Sequence, residues 1–440
     1  MGLLTFKQGI HPSYNKKKTK NKEIVDAERP DTIFIPLQQH IGAPLKPLVE
    51  RGDQVDRGQK IADTDSFVAA PVHSSVSGVV KGIEKVNDSG GGRVEAIKIE
   101  VSEEDTNNFM EPLTAKPENI NPDDIRERVR EAGIAGMGGA MFPTHVKLAV
   151  PDGKKVEYVV LNGAECEPYL TIDHRMMIEK AKEIVEGLKL LMRATGAPKG
   201  LIGIEDNKPD AIRTLKSLVA DETNIEVKET ETKYPQGGEK MLIKALLNRE
   251  VPVGGLPLDV GVVVNNTSTA AAVYEAVKLG KPLIDRPLTI TGSGITKPMN
   301  IRVKIGTPVS EIIDQAGGFN GEVGKVILGG PMMGKSQPSL DVHVVKGTSG
   351  ILVLQKHEVE NYSPVPCINC ARCVDVCPTN LVPTKLAKLA QLEKLDRMEE
   401  MQVMNCIECG SCSYICPSRR PLVHNIRIGK AEVTARNKSE

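Results

Sequence analysis

The sequence has no tryptophan, and aromatic residues make up only 3% of its 440 positions. Aromatic platforms for stacking bare bases are therefore scarce. It has no net charge, with 57 Lys and Arg set against 57 Asp and Glu. No nucleic-acid partner is suggested. No apolar run reaches the roughly 18 residues needed to span a bilayer, and no signal peptide opens the chain. Membrane association is therefore expected to be peripheral, through partner subunits. Cysteine is almost missing from the first 366 residues, where Cys166 is the single one of nine. That distribution argues against a disulfide framework and for a reducing cytoplasm. What is present is 40% apolar residues, enough for several cores. At roughly 100–200 residues per domain, about three domains are expected.

The other eight cysteines fall in two runs. One reads Cys367-Ile-Asn-Cys370-Ala-Arg-Cys373-Val-Asp-Val-Cys377-Pro378, the other Cys406-Ile-Glu-Cys409-Gly-Ser-Cys412-Ser-Tyr-Ile-Cys416-Pro417. Each carries the spacing of a bacterial two-cluster ferredoxin, in which the fourth cysteine ligates the other cluster. Cys367, Cys370, Cys373 and Cys416 are thus expected on one [4Fe-4S] cluster, and Cys406, Cys409, Cys412 and Cys377 on a second. Zinc sites use two spaced pairs and do not repeat this cadence. The segment 384–404 between the runs reads as helical, with Leu386, Leu389, Leu392 and Leu395 available to sheathe the clusters.

Before the clusters, residues 1–30 are polar and lysine-rich and read as a solvated basic arm. Residues 31–101 alternate short strands with Gly-Asp and Arg-Gly turns, in the manner of the barrel-sandwich hybrid of lipoyl and biotinyl carriers. His73-Ser74-Ser75 stands where those carriers have their modifiable lysine, so the shape is expected without the swinging arm, and His73 as a surface turn residue. Asn121 and Pro122 open a helix that stops at Gly133. A glycine-dense loop follows, from Gly133 to Lys147, whose free N–H groups suit an anion or a ring. Strands at 156–161, 201–204 and 260–264 alternate with helices at 175–195, 209–220, 238–248 and 268–279. This alternation predicts a parallel sheet covered on both faces, with ligands at the carboxyl ends of its strands. Two strands end at Asn162 and at Asn265-Asn266. Amides suit a flavin or nicotinamide edge, and asparagine is also an ordinary turn residue. Residues 286–345 follow a β-grasp pattern that supports its neighbour, and 350–354 is a last strand before the clusters.

Over nearly its whole length the chain resembles the C subunit of the Rnf complex, a membrane-bound ferredoxin:NAD+ oxidoreductase that moves sodium or protons. The resemblance rests on the opening Phe6-Lys7-Gln8-Gly9-Ile10-His11-Pro12 and on the order of barrel, glycine loop, β-grasp and twin cluster motifs. The middle is similar to the flavin-bearing subunit of respiratory complex I, through 136–147, Asn162-Gly-Ala-Glu165-Cys-Glu167-Pro168, Gly238-Glu239 and Asn265-Asn266-Thr267. The fold implied is a Rossmann-like α/β core of the complex I flavin-subunit type. It has an N-terminal barrel-sandwich hybrid, a β-grasp (SLBB) module and a C-terminal helical two-cluster ferredoxin domain. The segments expected are a basic arm at 1–30, the hybrid at 31–101 and the FMN and NAD(H) domain at 120–285. The β-grasp follows at 286–345 and the cluster domain at 356–430.

By the same resemblance Gly138, Gly139, Lys147, Asn162, Glu165, Asn265, Asn266 and Thr267 would hold FMN, within a loop that begins at Gly136. Gly138, Phe142, Glu167 and Glu239 would face NAD(H). Met137, Met141 and His145 depart from the complex I pattern, the two at 141 and 145 replacing glycines that keep that loop wide. Phe142 also lacks the second aromatic that follows the lysine there. The implied route runs from NAD(H) through FMN and two clusters to partner subunits, the membrane subunits and the ferredoxin-like B subunit. It would run on the cytoplasmic face of the cell membrane. A flavin joins hydride chemistry to single-electron steps. The competing readings are a flavin- and cluster-bearing cobalamin reductase of the same architecture, and a scaffold that only relays electrons.

Overall fold

The computed structural model describes residues 2–359 and 363–439; residues 360–362, within the span 356–430 expected for the cluster domain, lie outside the described residues. Its centre is a four-stranded sheet in the order Ile225–Thr230, Lys199–Glu205, Tyr158–Gly163, Val262–Asn266. Every pairing in it is parallel. The strands are apolar on both sides because both faces are covered. Val159 and Leu161 pack on the helices Ala181–Thr195 and Thr267–Leu279, and Val160 on the opposite helix Glu239–Leu247. The two helices on the first face touch closely at Gly187, where a Cβ would stand 1.9 Å from the carbonyl oxygen of Ala270.

The helix expected over 175–195 is two helices, Ile172–Glu179 and Ala181–Thr195. The break falls at Lys180, just past Glu179, which accepts hydrogen bonds from Arg175 Nε and from the Ile24 amide of an incoming strand. Asn121 caps its helix as expected, accepting from the amide of Asp123.

The N-terminal segment is not a solvated arm. Leu4 bridges Thr230, Ile10 bridges Tyr234, and Ile24–Asp26 pairs in parallel with Met299–Lys304. Three of its lysines are drawn in by carbonyl oxygens. Lys16 Nζ donates to Glu165, Glu167 and Leu170, Lys18 to Gly292 and Lys22 to Pro298. Buried carbonyls need donors, and a long cationic side chain supplies them.

Sheets ordered Thr32–Pro36, Arg93–Val101, Gly78–Asn87, Gln54–Val55 and Lys46–Pro47, Lys60–Asp63, Val72–His73 enclose Ile33, Ile35, Ile61, Val72, Ile97 and Ile99. The tip of this barrel is wedged inward. His73 is buried, not a surface turn residue, and Ser75 Oγ donates to Ile305 O at 2.6 Å. A fourth sheet runs in the order Ile24–Asp26, Met299–Lys304, Asp285–Thr291, Gly350–Gln355, Val323–Leu328, Lys335–Gln337. Gly350–Gln355 therefore sits inside the β-grasp sheet and is no separate strand beyond it.

The C-terminal helices Pro383–Gln391, Leu395–Glu400 and Leu422–Ser439 pack around the cysteines. Leu386 is fully buried and Leu389 and Leu395 partly so, but Leu392 is 55% exposed. It follows the last turn of its helix, where the chain has already left the core.

Candidate electron-transfer site

The glycine loop and the asparagine-ended strands gather at the carboxyl ends of the parallel sheet, the candidate crevice. The glycine loop forms one wall. Ala135 and Pro143 bridge across its base, and Gly136 N donates to Phe142 O at 2.9 Å. Met137 N donates to Thr269 Oγ1 at 3.0 Å, which ties the loop to the first turn of the helix Thr267–Leu279. Gly138, Gly139 and Ala140 then stand exposed, and a Cβ at Gly138 would meet Asn266 Cβ at 3.4 Å. None of their three amides has a hydrogen-bond partner among the described residues. Phe142, at the turn back, is half-buried.

The departures from the complex I pattern do not fill this crevice. Met137 is buried behind the loop. Met141 packs on Gly347, where a Cβ would lie 2.3 Å from Met141 Cγ. His145 is buried, with Nε2 2.9 Å from Phe67 O, and burial holds its pKa below the usual imidazole range. The loop is therefore not narrowed, because the larger side chains point away from its open face.

The opposite wall holds the amides. Asn162 Nδ2 donates to Gly237 O at 2.7 Å and Asn162 Oδ1 accepts from Ala164 N. Asn266 Oδ1 caps its helix by accepting from Ser268 N at 2.8 Å, and Nδ2 donates to Asp173 Oδ2. Lys147 Nζ lies between Glu239 Oε1 at 2.8 Å and Val264 O at 3.0 Å. Buried Asn265 Nδ2 and the hydroxyls of Thr267 and Thr144 have no partner among the described residues. Buried polar groups normally do, so these remain available to a ligand. Three open amides, unsatisfied amide and hydroxyl groups and a lysine at the rim suit a flavin mononucleotide.

Glu165 and Glu167 are not brought into that crevice. Glu165 accepts from Asp173 N at 2.7 Å, beside Lys16 Nζ at 3.7 Å, and burial raises its pKa against the pull of that lysine. Glu167 accepts from the amides of Met332 and Met333 at 3.1 and 2.8 Å, and burial pushes its pKa up to about 7. Both carboxylates hold backbone: Glu165 the start of the helix that follows it, and Glu167 the distant Met332–Met333 turn.

The cysteines sort across their two runs. Cys377, Cys406, Cys409 and Cys412 line one cavity, walled by Leu381, Val423 and Ile426. Burial raises the thiol pKa of Cys412 to about 12 and of Cys406 to about 11; both also feel the charges of Cys409 and Cys377. Metal must therefore displace their protons. Cys373 feels Cys416 and Cys367 instead. Cys367 and Cys370 are exposed. Among the described residues no three His, Cys, Asp or Glu side chains close on a single ion. A four-iron cube does not require that, since each thiolate binds a different corner.

The inner cavity adjoins the crevice. Tyr234 Oη donates to Cys409 O at 2.7 Å, and a Cβ at Gly238 would meet Ile407 Cδ1 at 3.7 Å. Ile10, Cys166, Tyr234 and Cys409 share one apolar cluster with Ile407 and Met332. The ninth cysteine, Cys166, is buried there and accepts from Gly237 N at 3.3 Å. Sequence reasoning missed Tyr234 and the buried amide of Gln236, which has no partner among the described residues. The signal was present: a tyrosine in an aromatic-poor chain, shortly before a glycine pair that opens a helix.

Four domain families match. The RnfC barrel sandwich hybrid domain covers residues 4–104, the Nuo51 FMN-binding domain 129–275, the SLBB domain 287–336 and the 4Fe-4S dicluster domain 360–417. The chain is 49% identical over 438 residues to the C subunit of the Na(+)-translocating ferredoxin:NAD(+) oxidoreductase complex of Acetobacterium woodii, covering 99% of this chain and 98% of that protein. It is 48% identical over 385 residues to the C subunit of the proton-translocating ferredoxin:NAD(+) oxidoreductase complex of Clostridium ljungdahlii, covering 88% and 84%. It is 43% identical over 385 residues to the C subunit of the ion-translocating oxidoreductase complex of Rhodobacter capsulatus, covering 87% and 74%. The crevice, the twin cysteine runs and these identities lead to one conclusion: the chain belongs to the RnfC family, the C subunits of the ion-translocating ferredoxin:NAD+ oxidoreductase complexes.

Proposed function

We propose that this electron-transfer subunit carries electrons between NAD(H) and the rest of its complex in a fixed spatial order. The order is crevice, inner cluster on Cys377, Cys406, Cys409 and Cys412, then outer cluster on Cys367, Cys370, Cys373 and Cys416. The observation that carries it is the contact of the 234–238 segment with the inner cavity, with Cys367 and Cys370 open to solvent. FMN, when bound, joins two-electron hydride chemistry to the single-electron steps of the clusters.

Gly138, Gly139 and Lys147 would hold the phosphate, and Asn162, Asn265, Asn266 and Thr267 the rest of the flavin. Phe142 and Glu239 at the mouth would face NAD(H), with Gly138 between the two ligands. Glu165 and Glu167 support this arrangement from behind. Among the described residues no helix is long and apolar enough to cross a membrane. Docking on the membrane subunits and the ferredoxin-like B subunit, at the cytoplasmic face, would use the surface around the exposed cysteines.

Anaerobic purification followed by iron, flavin and NADH assays tests the proposal. About eight iron atoms, one FMN and bleaching of the visible spectrum by NADH are expected. Flavin-replete protein that dithionite reduces and NADH does not would remove the NAD(H) part. Protein replete in iron but free of FMN would remove the crevice reading.

A further inference from the structure

Behind the glycine loop lies a cation that the electron route leaves unexplained. Arg286, on the strand Asp285–Thr291, is completely buried. Its Nη2 donates to Met137 O at 2.7 Å, while Nε and Nη1 have no partner among the described residues. The opposing charge it feels is Asp173, whose oxygens are already engaged by Asn266 Nδ2 and Ser268 Oγ, each at 2.8 Å. Burial lowers the pKa of Arg286 to about 10, which still leaves it charged near neutral pH. A buried cation without an ion pair is costly, and such charges are normally paired.

The Met137 residue is therefore gripped at both ends, its N–H by Thr269 Oγ1 and its carbonyl by a guanidinium. A donor on a carbonyl polarises the N–H across the same peptide, and the effect is strong in a low-dielectric interior. That N–H belongs to Gly138, the first of three open amides, and Gly138 lies against Asn266, the cap of the helix Thr267–Leu279. Anions favour such a junction.

We propose that Arg286 is a positioning residue that sets the positive field of the glycine loop for a phosphate ester, resting on the reading of this crevice as the FMN site. The residue lies outside the parallel-sheet domain, so the β-grasp module takes part in ligand binding through it. Two phosphates could use this field, that of FMN and the diphosphate of a dinucleotide. Gly138 abuts Asn266, one of the residues assigned to the flavin, which favours the FMN phosphate.

The test uses full-length, cluster-replete protein stripped of flavin and titrated in parallel with FMN and with riboflavin, which lacks the phosphate. R286Q is expected to weaken FMN by about tenfold or more and riboflavin by no more than about twofold. R286K, which keeps an N–H donor for the Met137 carbonyl, is expected to bind FMN within about threefold of wild type. Unchanged FMN affinity in R286Q overturns the proposal. So does an equal loss of both flavins in R286K, a comparison that holds even where R286Q does not fold. A raised KM for NADH with FMN affinity intact overturns it in favour of the dinucleotide. Wild type that binds neither flavin removes the crevice reading, and the proposal with it.

Discussion

Replacing Cys377 by serine separates two ways of wiring the same eight sulfurs. In sequence Cys377 closes the first run. In space its sulfur lines the cavity of Cys406, Cys409 and Cys412, where it accepts from Leu381 N at 3.4 Å. The variant leaves three ligands around the inner cube and all four around the outer one. Iron is expected to fall from about eight to about four per chain, with flavin unchanged. Cys377 and Cys412 belong to the buried core of the cluster domain. Cluster binding there is linked to folding, so the unfolding midpoint of that domain should drop as well. The decisive assay is electron paramagnetic resonance of the dithionite-reduced protein. The signal remaining in C377S should match that of C409S and differ from that of C370S. A C377S spectrum that pairs with C370S would mean that each run holds its own cluster, and the crossed arrangement would be wrong.

Three further outcomes are expected. Lys346 is buried, with Nζ on Pro71 O at 2.6 Å and Gly133 O at 2.7 Å, and burial lowers its pKa from 10.5 to about 7. Between those values the unfolded chain binds more protons than the folded one, so this group makes stability rise with pH from about 7 upward. Below about pH 7 both states are charged, the burial cost is at its full value and the contribution is flat. Denaturant midpoints should therefore show wild type gaining on K346M across this window, by at most about 5 kcal/mol, and parallel pH profiles would refute it. N266A removes the cap on Ser268 N and the amide donor to Asp173, so it should cost about 1–2 kcal/mol in stability and weaken FMN as well, by calorimetry and flavin titration. K147M breaks a part-exposed pair with Glu239, at a cost below about 1 kcal/mol, yet should lower FMN affinity by about tenfold or more. A stable K147M with native FMN affinity would take that lysine out of the site.

Much of this was legible because the chemistry is local. Ligand spacing in a cluster loop is set by neighbouring bonds, and a buried parallel strand must be apolar on both faces, as Val159, Val160 and Leu161 are. Asn121 and Gly196 mark helix ends within one turn of themselves, for the same reason. Side-chain partners are a different matter. Glu165 and Glu167 stand in a motif that suggests ligands, yet amides from Asp173, Met332 and Met333 claim them. Met141 and His145 suggest a narrowed loop, yet both turn outward onto Gly347 and Phe67.

By itself the sequence determined the two-cluster chemistry, the α/β core and the family. The tertiary structure alone decided that the lysine-rich start is built into the sheets and that the inner cavity meets the crevice at Tyr234. It also decided that a buried arginine from another module stands behind the glycine loop. The physical reason is range: periodicity and ligand spacing are written within a few residues, whereas burial and hydrogen-bond partners depend on segments more than a hundred residues apart, which only the folded chain brings together.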